Sequence, residues 1–226
     1  MYNRRVRNDD GMTITELLVA MLILSIVTAM VVTFFATVTR TFTTDSLASS
    51  NTNIAADSMN SLTRIIRAAT EIELSGETAV APVFQSASQT GMTLYTFYDN
   101  GTVAADQVER VTLALNTTTN SVTEVRVRGS QSGTKWSFSA TQPTQVLATN
   151  VAPRASGEAY LFTYYDAEDN PVEVGAGTTN RAILGTIASV KVNLTVQMDG
   201  VGRAGAVNLQ NTVVIPNLGI SRVGHG

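Results

Sequence analysis

The chain has 226 residues, enough for one large domain or for a domain with an attached helix. Its formal net charge is −3, which leaves no basic surplus for nucleic-acid phosphates and argues against direct nucleic-acid binding. It has no cysteine, which removes disulfides, thiolate zinc sites and cysteine nucleophiles. Its one histidine, His225, stands next to the C-terminal residue, so the body of the chain lacks the usual general base and the commonest zinc ligand. Composition therefore points away from an enzyme, and no cofactor is expected.

Residues 1–10 are polar, with Arg4, Arg5 and Arg7 set against Asp9 and Asp10. Gly11 follows, and residues 17–36 then form an uncharged apolar run, LLVAMLILSIVTAMVVTFFA. As a helix this run matches the roughly 30 Å hydrocarbon thickness of a bilayer. The hydroxyls of Ser25, Thr28 and Thr33 are tolerable there because they can bond back to helix carbonyls. A secretory signal peptide would put a small-residue cleavage site after the run, and the sequence Phe34-Phe35-Ala36-Thr37 supplies a poor one. A plain signal anchor fits the length and the arginines. Neither accounts for Glu16, a carboxylate just ahead of the apolar run, where charge is costly unless it has a partner.

The stretch Gly11-Met12-Thr13-Ile14-Thr15-Glu16-Leu17-Leu18-Val19-Ala20-Met21 resembles the processing motif of type IV prepilins and type II secretion pseudopilins. The resemblance implies a leader over 1–11, cut by a membrane-embedded prepilin peptidase between Gly11 and Met12. It implies N-methylation of Met12 and an assembly role for Glu16, whose carboxylate would pair with a neighbouring subunit's terminal amine. Such a pair is far less costly in a low-dielectric interior than two separate charges, so it would select one register between subunits. The family usually has phenylalanine after the cut and an aliphatic residue before the glutamate; this chain has Met12 and Thr15. The helix-bending proline or glycine common in major pilins is absent between Met12 and Ser75, which suggests a minor subunit.

Ala55, Met59, Leu62, Ile66 and Ala69 recur at helical steps beside Ile65 and Ile72, the stripe of a helix with one face on a core. The polar stretch 43–53 is a weaker helix former, and Ser75-Gly76 supplies a stop. The expectation is one long helix, with a transmembrane and assembly half over 12–36 and an amphipathic half over 37–75. Beyond it, 76–226 forms a β-rich globular head.

In the head the period changes to two. Strands are expected over 92–98, 108–115, 122–127, 135–140, 159–165, 190–196 and 207–215. Asp99-Asn100-Gly101 reads as a turn, 116–120 as a hairpin loop, and 199–205 as a glycine-rich loop joining the last two strands. Alternation predicts an antiparallel sheet with one buried face. The fold class is α+β and type IV pilin-like. The tyrosine-rich strand with its acidic turn, followed by two long strands, is also similar to J-type minor pseudopilins and related minor pilins.

Asp166, Glu168 and Asn170 present alternate oxygens like the start of a calcium loop and are candidate calcium ligands. Pro171 stands where that loop needs glycine and Gly177 where it needs glutamate, so an acidic hairpin turn is the preferred reading. The strand aromatics read as packing residues, and Arg64 and Arg67 as a solvated face or local partners of Glu71. No catalytic constellation is present.

The implied function is a minor pilin or pseudopilin, a structural subunit of a type IV pilus or type II secretion pseudopilus. Its partners would be prepilin peptidase and methylase and other pilins or pseudopilins in a filament or tip complex. It would cross the cytoplasmic membrane once with its head outside the cytoplasm, then join a cell-surface or periplasmic filament. The rival is a membrane-anchored binding or adhesion protein that does not polymerise.

Overall fold

The computed structural model describes residues 12–98, 107–139, 143–197 and 206–218. Gly11 and its leader, the turn at 99–101, the loop at 199–205 and His225 lie outside the described residues. The chain divides into two compact units, residues 1–46 and 47–226. One helix, α1 (Ile14–Arg67), contributes to both.

In the first unit the helix is apolar all round over residues 17–36. Leu17, Leu18, Val19, Met21, Leu22, Ile23, Leu24 and their successors through Phe35 are exposed in the isolated chain. The segment is long and apolar enough to cross a membrane. Its hydroxyls do not interrupt it, because Ser25 Oγ donates to Leu22 O, Thr28 Oγ1 to Leu24 O and Thr33 Oγ1 to Ala29 O, each at 2.8 Å. Thr37, Thr41, Thr43 and Thr44 continue the pattern.

In the second unit α1 buries Ala55, Met59, Leu62, Ile65 and Ile66 in the main core. The helix stops at Arg67, eight residues before the expected Ser75. Ala69 and Ile72 are fully buried as the stripe predicted, but in β-bridges to Thr96 and Ala81. Thr70 N–H donates to Tyr95 O and Phe97 N–H to Ala68 O, so pairing with the adjacent strand replaces further helical turns. A stripe of apolar residues cannot reveal this, since burial is satisfied either way.

Among the described residues the head holds eleven strands: β1 (Phe84–Ala87), β2 (Gly91–Tyr98), β3 (Gln107–Asn116), β4 (Ser121–Arg128), β5 (Ser130–Ser132), β6 (Lys135–Ser137), β7 (Gln145–Ala148), β8 (Phe162–Tyr165), β9 (Pro171–Val172), β10 (Ser189–Val196) and β11 (Val207–Val214). A one-turn helix, α2 (Arg181–Leu184), precedes β10 and is capped by Asn180, whose side chain accepts from Ala182 N–H. The expected strands are present, shortened to Lys135–Ser137 and Phe162–Tyr165 at two places. Strands β1, β5, β7 and β9 were not anticipated; each has four residues or fewer, too few for alternation to register.

The single sheet expected from alternation is replaced by two antiparallel sheets, β1-β2-β3-β4-β7 and β11-β10-β8-β9, with a β5-β6 ribbon. The crossover arises because β10 pairs with both β8 and β11, leaving β4 to find β7. Inward residues of both sheets share one core with α1, among them Leu94, Leu113, Phe162, Val192 and Leu194. Tyr164 ties the sheets together: its hydroxyl donates to Ser88 O at 2.8 Å, and its ring meets Phe84 edge-on with centroids 5.9 Å apart. A smaller core of Ile72, Ala81, Tyr95, Val108 and Trp136 covers the other face of the larger sheet.

Candidate processing and assembly site

The N-terminal site begins at Met12, which is exposed, and is organised by the first turn of α1. Glu16 N–H donates to Thr13 Oγ1 at 3.3 Å, and Thr13 N–H donates back to Glu16 Oε2 at 3.4 Å. Thr13 Oγ1 also lies 3.3 Å from Glu16 Oε2 and 3.1 Å from Thr15 Oγ1. This is a capping box, Thr-x-x-Glu, in which two orphan donors of the helix end are satisfied reciprocally. It places a carboxylate on the positive end of the helix dipole, where it is favourable. Thr13 was not singled out from the sequence, although its spacing to Glu16 is the signature that would have found it. Thr15, noted only as a departure from the family pattern, touches Thr13 within this turn.

Glu16 is the sole ionisable side chain between Met12 and Arg40. Around it the side chains are mostly aliphatic or aromatic, and the hydroxyls of Ser25, Thr28, Thr33 and Thr37 are bonded to backbone carbonyls. The segment presents an apolar cylinder with one carboxylate fixed at its N-terminal end.

Of the remaining candidates, Asp166 holds the β8–β9 turn. Its Oδ1 accepts from the N–H groups of Glu168 at 3.0 Å and Asn170 at 2.7 Å, and the Asn170 side-chain amide reaches the same carboxylate. These donors, the Asn170 backbone first, hold the exposed Asp166 carboxyl below the usual aspartate range. Asp166, Glu168 and Asn170 thus form a hairpin turn. Among the described residues, no group of three or more histidine, cysteine or acidic side chains is gathered as a metal would require.

The aromatics singled out in the strands are packing residues: Tyr95, Phe162 and Tyr164 are buried. Tyr160 instead carries the Arg154 guanidinium 3.9 Å above its ring. Arg64 and Arg67 are exposed, and neither forms an ion pair with Glu71 or another acid among the described residues.

A feature that sequence reading missed lies beside Arg64. A cleft of about 450 Å³ opens between α1 and the larger sheet, lined by Ser61, Arg64, Ile65, Thr96, Glu124 and Arg126 among others. Glu109 and Glu124 are both buried on the helix-facing side of that sheet. Arg126 serves the two, with Nη1 3.0 Å from Glu109 Oε2 and Nε 2.6 Å from Glu124 Oε1. Burial opposes the Arg126 charge, but Glu124 and Glu109 outweigh it and raise its pKa above the ordinary arginine value. The alternation of β3 and β4 put these charges on the core face, and only the register Glu109↔Arg128 and Val111↔Arg126 makes them neighbours.

Residues 6–32 match the family model of the prokaryotic N-terminal methylation motif. No curated protein matches the chain. The N-terminus is therefore that of a type IV prepilin-like precursor, and the long apolar helix followed by an antiparallel head agrees with the type IV pilin fold.

Proposed function

Starting from a type IV prepilin-like N-terminus, we propose that the chain is a minor pilin or pseudopilin, cut between Gly11 and Met12, methylated on Met12 and assembled through its N-terminal helix. The observation that carries this reading is the helix segment that is apolar on every side with Glu16 as its one charge. Such a cylinder needs apolar cover around its whole circumference, which a bilayer supplies first and packed helices of other subunits supply later. Glu16 gives that packing a register, because its carboxylate is matched only where an ammonium meets it.

In this reading the precursor sits in the cytoplasmic membrane with the arginine-bearing leader on the cytoplasmic side and the head beyond it. Prepilin peptidase and methylase act on residues 11 and 12, and residues 12–36 then pack against other pilins or pseudopilins. The head, with its carboxylates held by arginine, has a structural and not a catalytic role. The absence of proline and glycine from the span supports a minor subunit.

Mass spectrometry of the membrane-extracted protein tests the processing step. The expected N-terminus is methylated Met12, and an intact Met1 overturns the proposal. Glu16→Ala is expected to leave cleavage intact and abolish recovery of the protein in sheared filaments. A membrane-anchored binding protein that does not polymerise would tolerate that substitution and persist without the peptidase.

A further inference from the structure

The cleft of about 450 Å³ between α1 and the larger sheet is lined by two groups of opposite charge whose hydrogen bonding the fold leaves incomplete. Deep in it is Glu124, 3% exposed, whose Oε1 accepts no hydrogen bond. Arg126 Nε lies 2.6 Å from that oxygen and offsets its charge, but the aligned donor of the guanidinium, Nη1, goes to Glu109 at 3.0 Å. A buried carboxylate oxygen without a donor carries much of its desolvation cost uncompensated. At the rim is Arg64, exposed on α1, whose guanidinium has neither an ion pair nor a hydrogen bond among the described residues.

The charges are also uneven along the cleft. Glu109 and Glu124 share the one close guanidinium of Arg126, and Arg128 adds only a 3.7 Å contact to Glu109 from a side chain that is 67% exposed. The inner end is therefore short of positive charge, and the rim at Arg64 is short of negative charge. A simple anion would meet Glu124, and a simple cation would meet Arg64 and Arg126. A molecule with an ammonium at one end and a carboxylate at the other satisfies both ends at once. The ammonium brings three donors to an oxygen that has none, and a guanidinium binds a carboxylate through two parallel bonds. Ile65, Ala68, Val111 and Leu147 complete the lining, an apolar wall that suits an aliphatic side chain.

We propose that this cleft binds a free α-amino acid with an aliphatic side chain, its ammonium on Glu124 and its carboxylate on Arg64. The side chain lies against Ile65, Val111 and Leu147. All of these residues belong to the second unit, so the site does not depend on processing at Gly11 or on the assembly proposed above.

Equilibrium dialysis of the full chain in nonionic detergent, with labelled leucine as the probe, tests the site. Leucine is expected to bind. Isoamylamine and isocaproate, which each keep one of its two charges, are expected to bind about tenfold or more weakly. Arg64→Ala, a change at an exposed position, should weaken leucine by about tenfold or more and should not weaken isoamylamine. Glu124→Gln should weaken leucine by a similar factor and should not weaken isocaproate, with circular dichroism reporting that the variant is folded. No retention of leucine at millimolar concentration overturns the proposal. An analogue that binds as tightly as leucine, or an Arg64→Ala chain that binds leucine like the unmodified one, overturns it equally.

Discussion

At the scale of single residues, Asp166 and Arg126 show two different uses of charge. Asp166 is exposed, and its carboxylate is stabilised by donors of its own turn. Its folded pKa is lowered, so its contribution is present above the unfolded aspartate pKa and fades as pH falls through the folded value. A carboxyl NMR titration is expected to place Asp166 below the ordinary aspartate value, with the β8–β9 turn loosening in acid. Asp166→Ala should remove that pH dependence. Arg126 is the opposite case, a partly buried cation between two buried carboxylates. Arg126→Ala would leave Glu124 without a close cation and Glu109 with Arg128 Nε alone at 3.7 Å, and the expected loss is about 3–5 kcal/mol in urea unfolding.

At the scale of elements, α1 changes its surroundings along its length, and its residues change with it. Up to residue 46 most of its side chains are exposed, Val38 and Thr44 being half-buried, and hydroxyls such as those of Thr37 and Thr44 turn back to its own carbonyls. From Asn51 its inward face is buried, and there Ser58 donates outside the helix as well, to Leu147 O of β7. Ser58→Ala is expected to cost about 1–3 kcal/mol, because the Leu147 carbonyl is left without that donor, and a lower urea midpoint at unchanged slope would report it. The equivalent change at Thr28, whose bond stays within the helix, should leave the midpoint in place. In the larger sheet, a Cβ at Gly91 would lie 2.8 Å from Leu113 O, so close approach of β2 and β3 requires glycine there. No hydrophobic pattern signals such a contact, since it depends on which backbone lies opposite.

At the scale of the whole molecule, one segment is suited to lipid and the rest to water. The head buries its apolar residues in a shared core. The large apolar side chains of residues 17–35 are exposed. The protein is expected to stay with membranes through alkaline carbonate washing and to be released by detergent. A chain truncated before residue 47 should lose that association, which fractionation with immunoblotting would read.

The sequence by itself determined the features written in consecutive residues. These are the glycine at 11, the glutamate five residues after it, the apolar run, the α+β order, and the long strands whose alternation spans several residues. Each is local, so chemistry and periodicity are visible without knowing what lies across from them. Tertiary structure decided the features that depend on a distant partner. Pairing with β2 ended α1 at Arg67, where the apolar stripe alone would have carried it to Ser75. The choice of β8 over β4 by β10 divided one expected sheet into two. The register of β3 against β4 brought Glu109, Glu124 and Arg126 together, and the pairing of β10 set the order β11-β10-β8-β9 of the smaller sheet. Strand pairing is a contest among surfaces far apart in the chain, and each strand carries only half of the information that settles it.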